Sequence, residues 1–332
     1  APAQPLITTT TSLTSDSTPT IEGTAEAGST VELSHAHVSL GTTTANDGGQ
    51  FSITTSTLAD NTYSLTVTAT DAAGNVSAAS DALSITVDAT APAQPLITTT
   101  TSLTSDSTPT IEGTAEAGST VELSHAHVSL GTTTANDGGQ FSITTSTLAD
   151  NTYSLTVTAT DAAGNVSAAS DALSITVDTT APIVTSLSGS GERVSTFAVN
   201  ENIITVQTVN ANETVTWSLT GDDASLFEIN SSGELTFKSA PDYENPGSAA
   251  SSNAYSVTVT ATDSAANTSD QAITVSVIDI NEAPILNLES NFIVSIEEKY
   301  TAVESVTVTD TDAGDTVVWS LTGDDAFLFE IN

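Results

Sequence analysis

Tyr63-Ser64-Leu65-Thr66-Val67-Thr68-Ala69-Thr70, closed by Asp71-Ala72-Ala73-Gly74-Asn75, decides the fold. Tyr63, Leu65, Val67 and Ala69 alternate with Ser64, Thr66, Thr68 and Thr70. A period of two buries one face of a strand and wets the other, and β-branched Thr and Val favour the pleated chain. Working outward, Val31 and Leu33 read the same way, as do Leu83, Ile85 and Val87 around Ser84 and Thr86. Turn residues punctuate the runs at Glu26-Ala27-Gly28-Ser29 and Asn46-Asp47-Gly48-Gly49. Short strands at this spacing, within about 90 residues, predict an all-β, seven-stranded antiparallel sandwich. No helical stripe of useful length competes.

Residues 1–90 return as residues 91–180 with one difference, Ala89 against Thr179. A third module follows over 181–283, and an incomplete fourth over 284–332. The fourth copies the start of the third: Val215-Thr216-Trp217-Ser218-Leu219-Thr220-Gly221-Asp222-Asp223 matches Val317-Val318-Trp319-Ser320-Leu321-Thr322-Gly323-Asp324-Asp325. Asn332 is the counterpart of Asn230, so the chain is expected to be a piece of a longer protein. Copying a module adds span without a new folding problem, but adds little to an active site. Only Asp88-Ala89-Thr90 separate strand residue Val87 from Ala91-Pro92. A joint that short, ending in Pro, acts as a stiff hinge. The expected architecture is an extended rod of tandem sandwiches.

Acids outnumber Lys and Arg 41 to 3, giving a formal charge of -38. The cations Arg193, Lys238 and Lys299 all follow residue 180. This balance excludes nucleic acid and anionic membrane surfaces as partners. No run of about 18 apolar residues offers a membrane span. There is no Cys, so no disulfide staples the modules. Such one-sided charge opposes compaction unless salt or bound cations offset it.

Strand order predicts where acids meet. The loop after the penultimate strand lies at the end where the preceding module enters, which places Asp161 and Glu116 opposite Asp88. Three carboxylates without Lys or Arg repel one another unless a cation intervenes. Ca2+ fits, as a hard ion taking about six to eight oxygens. The alternative is that Asp71 and Asp161 are solvated turn caps. At the second joint Asp178 and Asp263 are joined by Asn210 and Asn212, which supply oxygens with less charge, so a site there is expected to be weaker.

The third joint carries Asp279-Ile280-Asn281-Glu282-Ala283-Pro284, with Asn200-Glu201 and Asp242-Tyr243-Glu244 upstream and Asp310-Thr311-Asp312 downstream. This set resembles the cadherin repeat, which binds Ca2+ between successive modules. The resemblance covers about 181–332. It implies side-chain ligands Glu201, Asp242, Glu244, Asp279, Asn281, Glu282, Asp310 and Asp312, with Ile280 offering its carbonyl. The linker is one residue shorter than the animal form and has Glu282 where Asp is usual. Asn210-Ala211-Asn212 stand where the third module should carry D-x-D.

Modules one and two resemble the bacterial Ig-like repeats of large secreted adhesins. The likeness rests on Ser17-Thr18-Pro19-Thr20-Ile21-Glu22-Gly23-Thr24-Ala25, Leu58-Ala59-Asp60-Asn61-Thr62-Tyr63, the Thr68–Asn75 segment and the Asp-x-Thr-Ala-Pro joint. It implies tandem sandwiches with Ca2+ between them, working as a spacer at the bacterial cell surface.

Other motifs carry less. His35 and His37, copied as His125 and His127, would share one face of a regular strand and grip a transition metal, but no third ligand is evident and a turn accounts for them. Trp217 and Trp319 alternate with Leu219 and Leu321 and read as core residues, not sugar platforms. Asp222-Asp223 follows a glycine and reads as a turn, not an acid dyad. The chain is therefore expected to be a non-catalytic extender whose partners are the neighbouring modules of its own chain. The alternative is a filament or sheath subunit, whose half-module 284–332 is completed by strands from another copy. A module that binds glycan is disfavoured by the near-identity of the first two copies.

Overall fold

The computed structural model describes residues 1–185, 194–288, 293–312 and 314–331. Arg193 and Asn332 lie outside them. The chain divides into two compact units, Ala1–Thr180 and Ala181–Asn332.

In the first unit the strands are β1 (Leu6–Ile7), β2 (Leu13–Thr14), β3 (Thr20–Thr24), β4 (Thr30–His35), β5 (Val38–Thr44), β6 (Gln50–Thr54), β7 (Asn61–Thr70) and β8 (Leu83–Val87). They form a three-stranded sheet, β1-β3-β6, and a five-stranded sheet, β2-β8-β7-β4-β5. Strands β9 to β16, from Leu96–Ile97 to Leu173–Val177, repeat both sheets in the second copy. The period of two is realised as read: Ile21, Val31, Leu33, Leu65, Val67 and Ile85 are all 0% exposed between the sheets. Each such side chain contributes about 1.5–3 kcal/mol of burial. Outward hydroxyls pair across strands, as in Thr62 with Thr86 at 2.8 Å. Gly23 is needed where β1 crosses, since a Cβ there would lie 2.2 Å from the Leu6 carbonyl oxygen.

The first strand departs from the simple antiparallel expectation. It is split, with β1 antiparallel to β3 and β2 parallel to β8. The polar run Thr8-Thr9-Thr10-Thr11-Ser12 carries the chain between sheets. One segment thereby covers an edge of each sheet and leaves fewer unpaired backbone groups.

In the second unit β17 (Val194–Asn200), β18 (Thr205–Thr208), β19 (Thr216–Thr220), β20 (Phe227–Ile229), β21 (Glu234–Phe237), β22 (Ala254–Thr262) and β23 (Thr268–Ile278) form sheets β17-β23-β22-β19 and β18-β21-β20. Their core holds Phe227, Phe237 and Tyr255, with ring centroids 4.3 Å apart for the two Phe and 5.1 Å for Phe237 and Tyr255. Trp217 and Leu219 pack against this core, as their alternation predicts. Beyond it, β24 (Ile285–Leu286) pairs with β25 (Val308–Thr309). Phe329 is 53% exposed, whereas its counterpart Phe227 is 2% exposed under the sheets that cover it.

Asp223 corrects the reading of Asp222-Asp223 as a plain turn. Its side chain is buried, and Oδ1 accepts from the Ala249 amide and Oδ2 from the Ser256 amide, both at 2.7 Å. The carboxylate ties the loop ahead of β22 to the strand itself. Asp223→Ala strands both amides. Hydrogen bonds to a charged acceptor are worth about 1.5–3 kcal/mol each, so a loss of about 2–5 kcal/mol is expected in urea unfolding followed by Trp fluorescence. A loss under about 1 kcal/mol would show that the clamp is idle.

Candidate metal centre

The third joint is assembled by strand register. Strands β17 and β23 run parallel with Asn200 beside Ile278, so Glu201 and Asp279 leave the sheet at the same end. The Glu201 amide donates to the Ile278 carbonyl at 3.0 Å, and the Asn202 amide to the Pro241 carbonyl at 2.9 Å. The second bond draws in the Asp242-Tyr243-Glu244 loop. Glu201, only 3% exposed, is the hub. Its Oε1 accepts from the Ile280 amide at 2.8 Å and its Oε2 from the Tyr243 amide at 3.0 Å.

The fourth module enters through Asp312. Its Oδ2 accepts from the Glu282 amide at 2.6 Å and from Asn281 Nδ2 at 3.0 Å. Asp310, at the end of β25, accepts from the Asp312 amide at 3.2 Å. Two groups result whose ligand oxygens lie within 4.8 Å of one another: Glu201 with Asp242 and Glu244, and Glu244 with Asp279 and Asp312. Glu244 belongs to both. Asn281 and Glu282 border them, and Asn202 Nδ2 donates to Glu282 Oε1 at 3.2 Å. Ile280 contributes its amide to Glu201. Sequence reasoning missed Asp315, whose Oδ2 accepts from Asn281 Nδ2 at 2.9 Å. Its signal was spacing, since Asp315 lies one turn past Asp310-Thr311-Asp312.

The electrostatics are those of crowded acids. Burial first, and then the charges of neighbouring acids, raise the pKa values of Glu244, Asp279 and Glu282. For Glu244 those neighbours begin with Glu201, and for Asp279 with Asp312. Lys238, the one cation among the described residues of the third module, donates instead to the Ser225 carbonyl at 2.7 Å. Glu282 Oε2 and Asp312 Oδ1 are buried without a hydrogen-bond partner. Buried anionic oxygens left without a donor are costly, and a hard divalent ion is the ligand that removes the cost. The donor set fits Ca2+: carboxylate oxygens, with no sulfur or imidazole among them.

The first joint is built differently. Asp161 Oδ1 accepts from the Asn165 amide at 2.9 Å, and Oδ2 from Asn165 Nδ2 at 2.8 Å. Burial pushes the Asp161 pKa up, but these hydrogen bonds outweigh it and the net shift is downward. Asn165 Nδ2 also donates to the Asp88 carbonyl at 2.7 Å, so the structure brings the Asp161 loop to Asp88 through an amide. Glu116 is exposed and uses its backbone carbonyl to hold Ser119. Among the described residues, Asp88, Glu116 and Asp161 do not share one cluster of ligand oxygens.

Of the residues expected at the second joint, Asp178 lies in the first unit, where its Oδ1 accepts from the Thr180 amide at 3.1 Å. In the second unit, Asp263 is buried and receives the Asn267 amide and Nδ2, both at 2.9 Å. Asn212 Oδ1 accepts from the Ile183 amide at 2.6 Å, and the Asn210 carbonyl from the Thr185 amide at 2.8 Å.

The histidines do not share a strand face. Ala36 and His37 take positive φ, 48° and 67°, in the hairpin turn. His35 Nδ1 lies 3.1 Å from the Ser64 carbonyl oxygen, and its ring stands edge-on to Tyr63.

The opposite pKa directions predict opposite acid responses. In the second unit, raised values mean that the cation-free fold binds protons more tightly than the unfolded chain. The corresponding stability is fully present below the ordinary carboxylate range and lost as pH rises through the raised values. Asp60, Asp71, Asp150 and Asp161 are lowered, chiefly by hydrogen bonds from Thr90, Asn75, Thr180 and Asn165 respectively. Their contribution is present above the ordinary value and lost as pH falls through the depressed ones. In EDTA, acidification from about pH 7 to about pH 5 is expected to raise the midpoint read by Trp217 and Trp319. A falling midpoint there would contradict the cluster electrostatics.

Tandem sandwiches with an acidic, cation-poor joint define a repeat protein of the Ig-like class. Residues 7–89 and 97–179 each match the bacterial Ig-like domain family, and the chain belongs to that family. Among solved structures it is similar to a biofilm-associated protein domain, at 24% identity and a TM-score of 0.23, covering 53% of this chain and 30% of that one. It is also similar to a 1.5-MDa bacterial ice-binding adhesin, at 22% identity and a TM-score of 0.33, covering 80% of this chain and 92% of that one. A third likeness is to protocadherin gammaB7 EC3-6, at 17% identity and a TM-score of 0.29, covering 93% and 84%. No curated protein matches the chain. Among the described residues, no helix is long and apolar enough to cross a membrane.

Proposed function

We propose that this chain is a non-catalytic spacer segment of a bacterial surface adhesin, stiffened by Ca2+ at the joint between its third and fourth modules. The observation that carries the reading is the pair of buried, partnerless oxygens, Glu282 Oε2 and Asp312 Oδ1, within a cluster of like charge. Glu201, Asp242, Glu244, Asp279 and Asp312 would hold the ion, with Asn281, Glu282, Asp310 and the Ile280 carbonyl completing the shell. The ion would supply the positive charge that lets module ends approach. The duplicated modules 1–90 and 91–180, which contain no Lys or Arg, add span beyond that joint. Small-angle scattering tests the reading: the largest dimension and the rigidity should both rise when Ca2+ replaces EDTA. Superimposable curves in the two conditions would remove the stiffening role.

A second reading, a filament subunit, is favoured by exposed Phe327, Phe329 and Val318 in residues 284–332. Exposed apolar residues without a covering sheet are a pairing surface for another chain. Sedimentation separates the two. The spacer stays at its 33.6 kDa monomer mass, and the filament subunit polymerises with concentration.

A further inference from the structure

Each Ig-like copy ends in a contact that neither the motifs nor the metal reading uses. Strands β7 and β8 pair with Asn61 beside Val87. Asp60, just before β7, is therefore beside the chain that leaves β8. Asp60 Oδ1 accepts from the Ala89 amide at 2.8 Å, and Oδ2 accepts from the Thr90 hydroxyl in a very short bond. The second copy rebuilds the arrangement. Asp150 Oδ1 accepts from the Thr179 amide at 2.9 Å, and Oδ2 from the Thr180 hydroxyl at 2.5 Å. Here the Thr179 hydroxyl adds a further bond to Asp150 Oδ1 at 2.7 Å. Residue 89 against 179 is the single difference between the copies, and it falls on this contact.

We propose that Asp60 and Asp150 are linker latches, positioning residues that fix the path of the chain as it leaves each module without needing a metal ion. Both carboxylate oxygens are committed to the linker, one to an amide and one to a hydroxyl. Charged acceptors make the stronger hydrogen bonds, and two from one rigid carboxylate define a direction. The Ala89-to-Thr179 difference makes the second latch the tighter one. A latch of this kind limits bending at the linker that no helix or disulfide braces. The cluster around Glu201 plays no part in it.

Hydrogen exchange with mass spectrometry on the full chain tests the proposal. Peptides covering 88–95 and 178–185 differ in sequence, so the copies are told apart. In EDTA, and after correction for intrinsic rates, both linkers should be protected, with 178–185 exchanging about threefold to tenfold more slowly for its extra bond. Ala89→Thr should bring the first linker to the rate of the second, and Thr179→Ala the reverse. Asp60→Ala, which leaves no side-chain acceptor, should speed exchange in 88–95 about tenfold while β7 keeps its protection, which shows the module still folded. Unchanged exchange in Asp60→Ala overturns the latch. Protection that appears only in about 10 mM Ca2+ also overturns it, since Asp60 would then be a metal ligand.

Discussion

Replacing EDTA with about 10 mM Ca2+ is expected to raise the unfolding midpoint of the Ala181–Asn332 unit by about 3–10 °C. Trp217 and Trp319 both lie in that unit, so tryptophan fluorescence reports it alone. The size follows from mass action. Extracellular Ca2+ modules bind with dissociation constants of about 10⁻⁴–10⁻³ M, which gives about 1.4–2.7 kcal/mol per ion at that concentration. A unit of this size gains about 2–4 °C per kcal/mol. The sign follows from the site. Glu244, Asp279 and Glu282 have raised pKa values because burial, and then neighbouring acids, disfavour their charged forms, and two buried oxygens lack donors. Mg2+ should stabilise less, because it demands a rigid octahedral shell at shorter distances. Identical melting curves with EDTA and with Ca2+ would end the metal reading. The first unit should shift less, since both Asp161 oxygens already receive hydrogen bonds from Asn165.

What the sequence disclosed, and what it withheld, divides along physical lines. Alternation gave the sandwich because burial acts through a period of two, and Val31, Leu33, Leu65, Val67 and Ile85 are buried where that period places them. The duplication of 1–90 as 91–180 reappears as the strand order of β1 to β8 repeated in β9 to β16. The split of β1 from β2 was not legible, because a run of five hydroxylated residues, Thr8 to Ser12, has no periodicity to mark a change of sheet. Asp223 was misjudged because sequence shows a turn acid but not which distant amides it meets, here Ala249 and Ser256. At the third joint, residue types and order were informative since one linker carries several oxygen donors. The hub role of Glu201 was not, since it depends on parallel register between β17 and β23. The Asp60 latch escaped notice for the same reason: the bond spans 29 residues and arises from the pairing of β7 with β8.

Glu201→Ala is expected to be the most damaging single change at the third joint, and to act in two separable parts. Without metal, it removes the acceptor of the Ile280 and Tyr243 amides. Two hydrogen bonds to a buried carboxylate are worth about 3–6 kcal/mol gross, and some of this returns through water. Against that loss stands relief of repulsion, because Glu201 is among the charges that raise the pKa values of Glu244, Asp279 and Glu282. Glu244 and Asp279 are exposed, and charge interactions there are screened and contribute little. Hydrogen bonding wins, and the net loss in EDTA should be about 2–4 kcal/mol. With Ca2+ present the variant also loses a ligand, so its midpoint should rise less than the wild-type midpoint on adding the ion. Glu201→Gln separates the parts. It keeps one carbonyl acceptor and loses the charge, so it should recover about half of the metal-free loss while keeping the weakened Ca2+ response. Urea unfolding of the three proteins, each with EDTA and with Ca2+, measures both quantities. If Glu201→Ala unfolds like wild type in EDTA, the hub is not structural. If its gain from Ca2+ matches wild type, Glu201 is not a ligand.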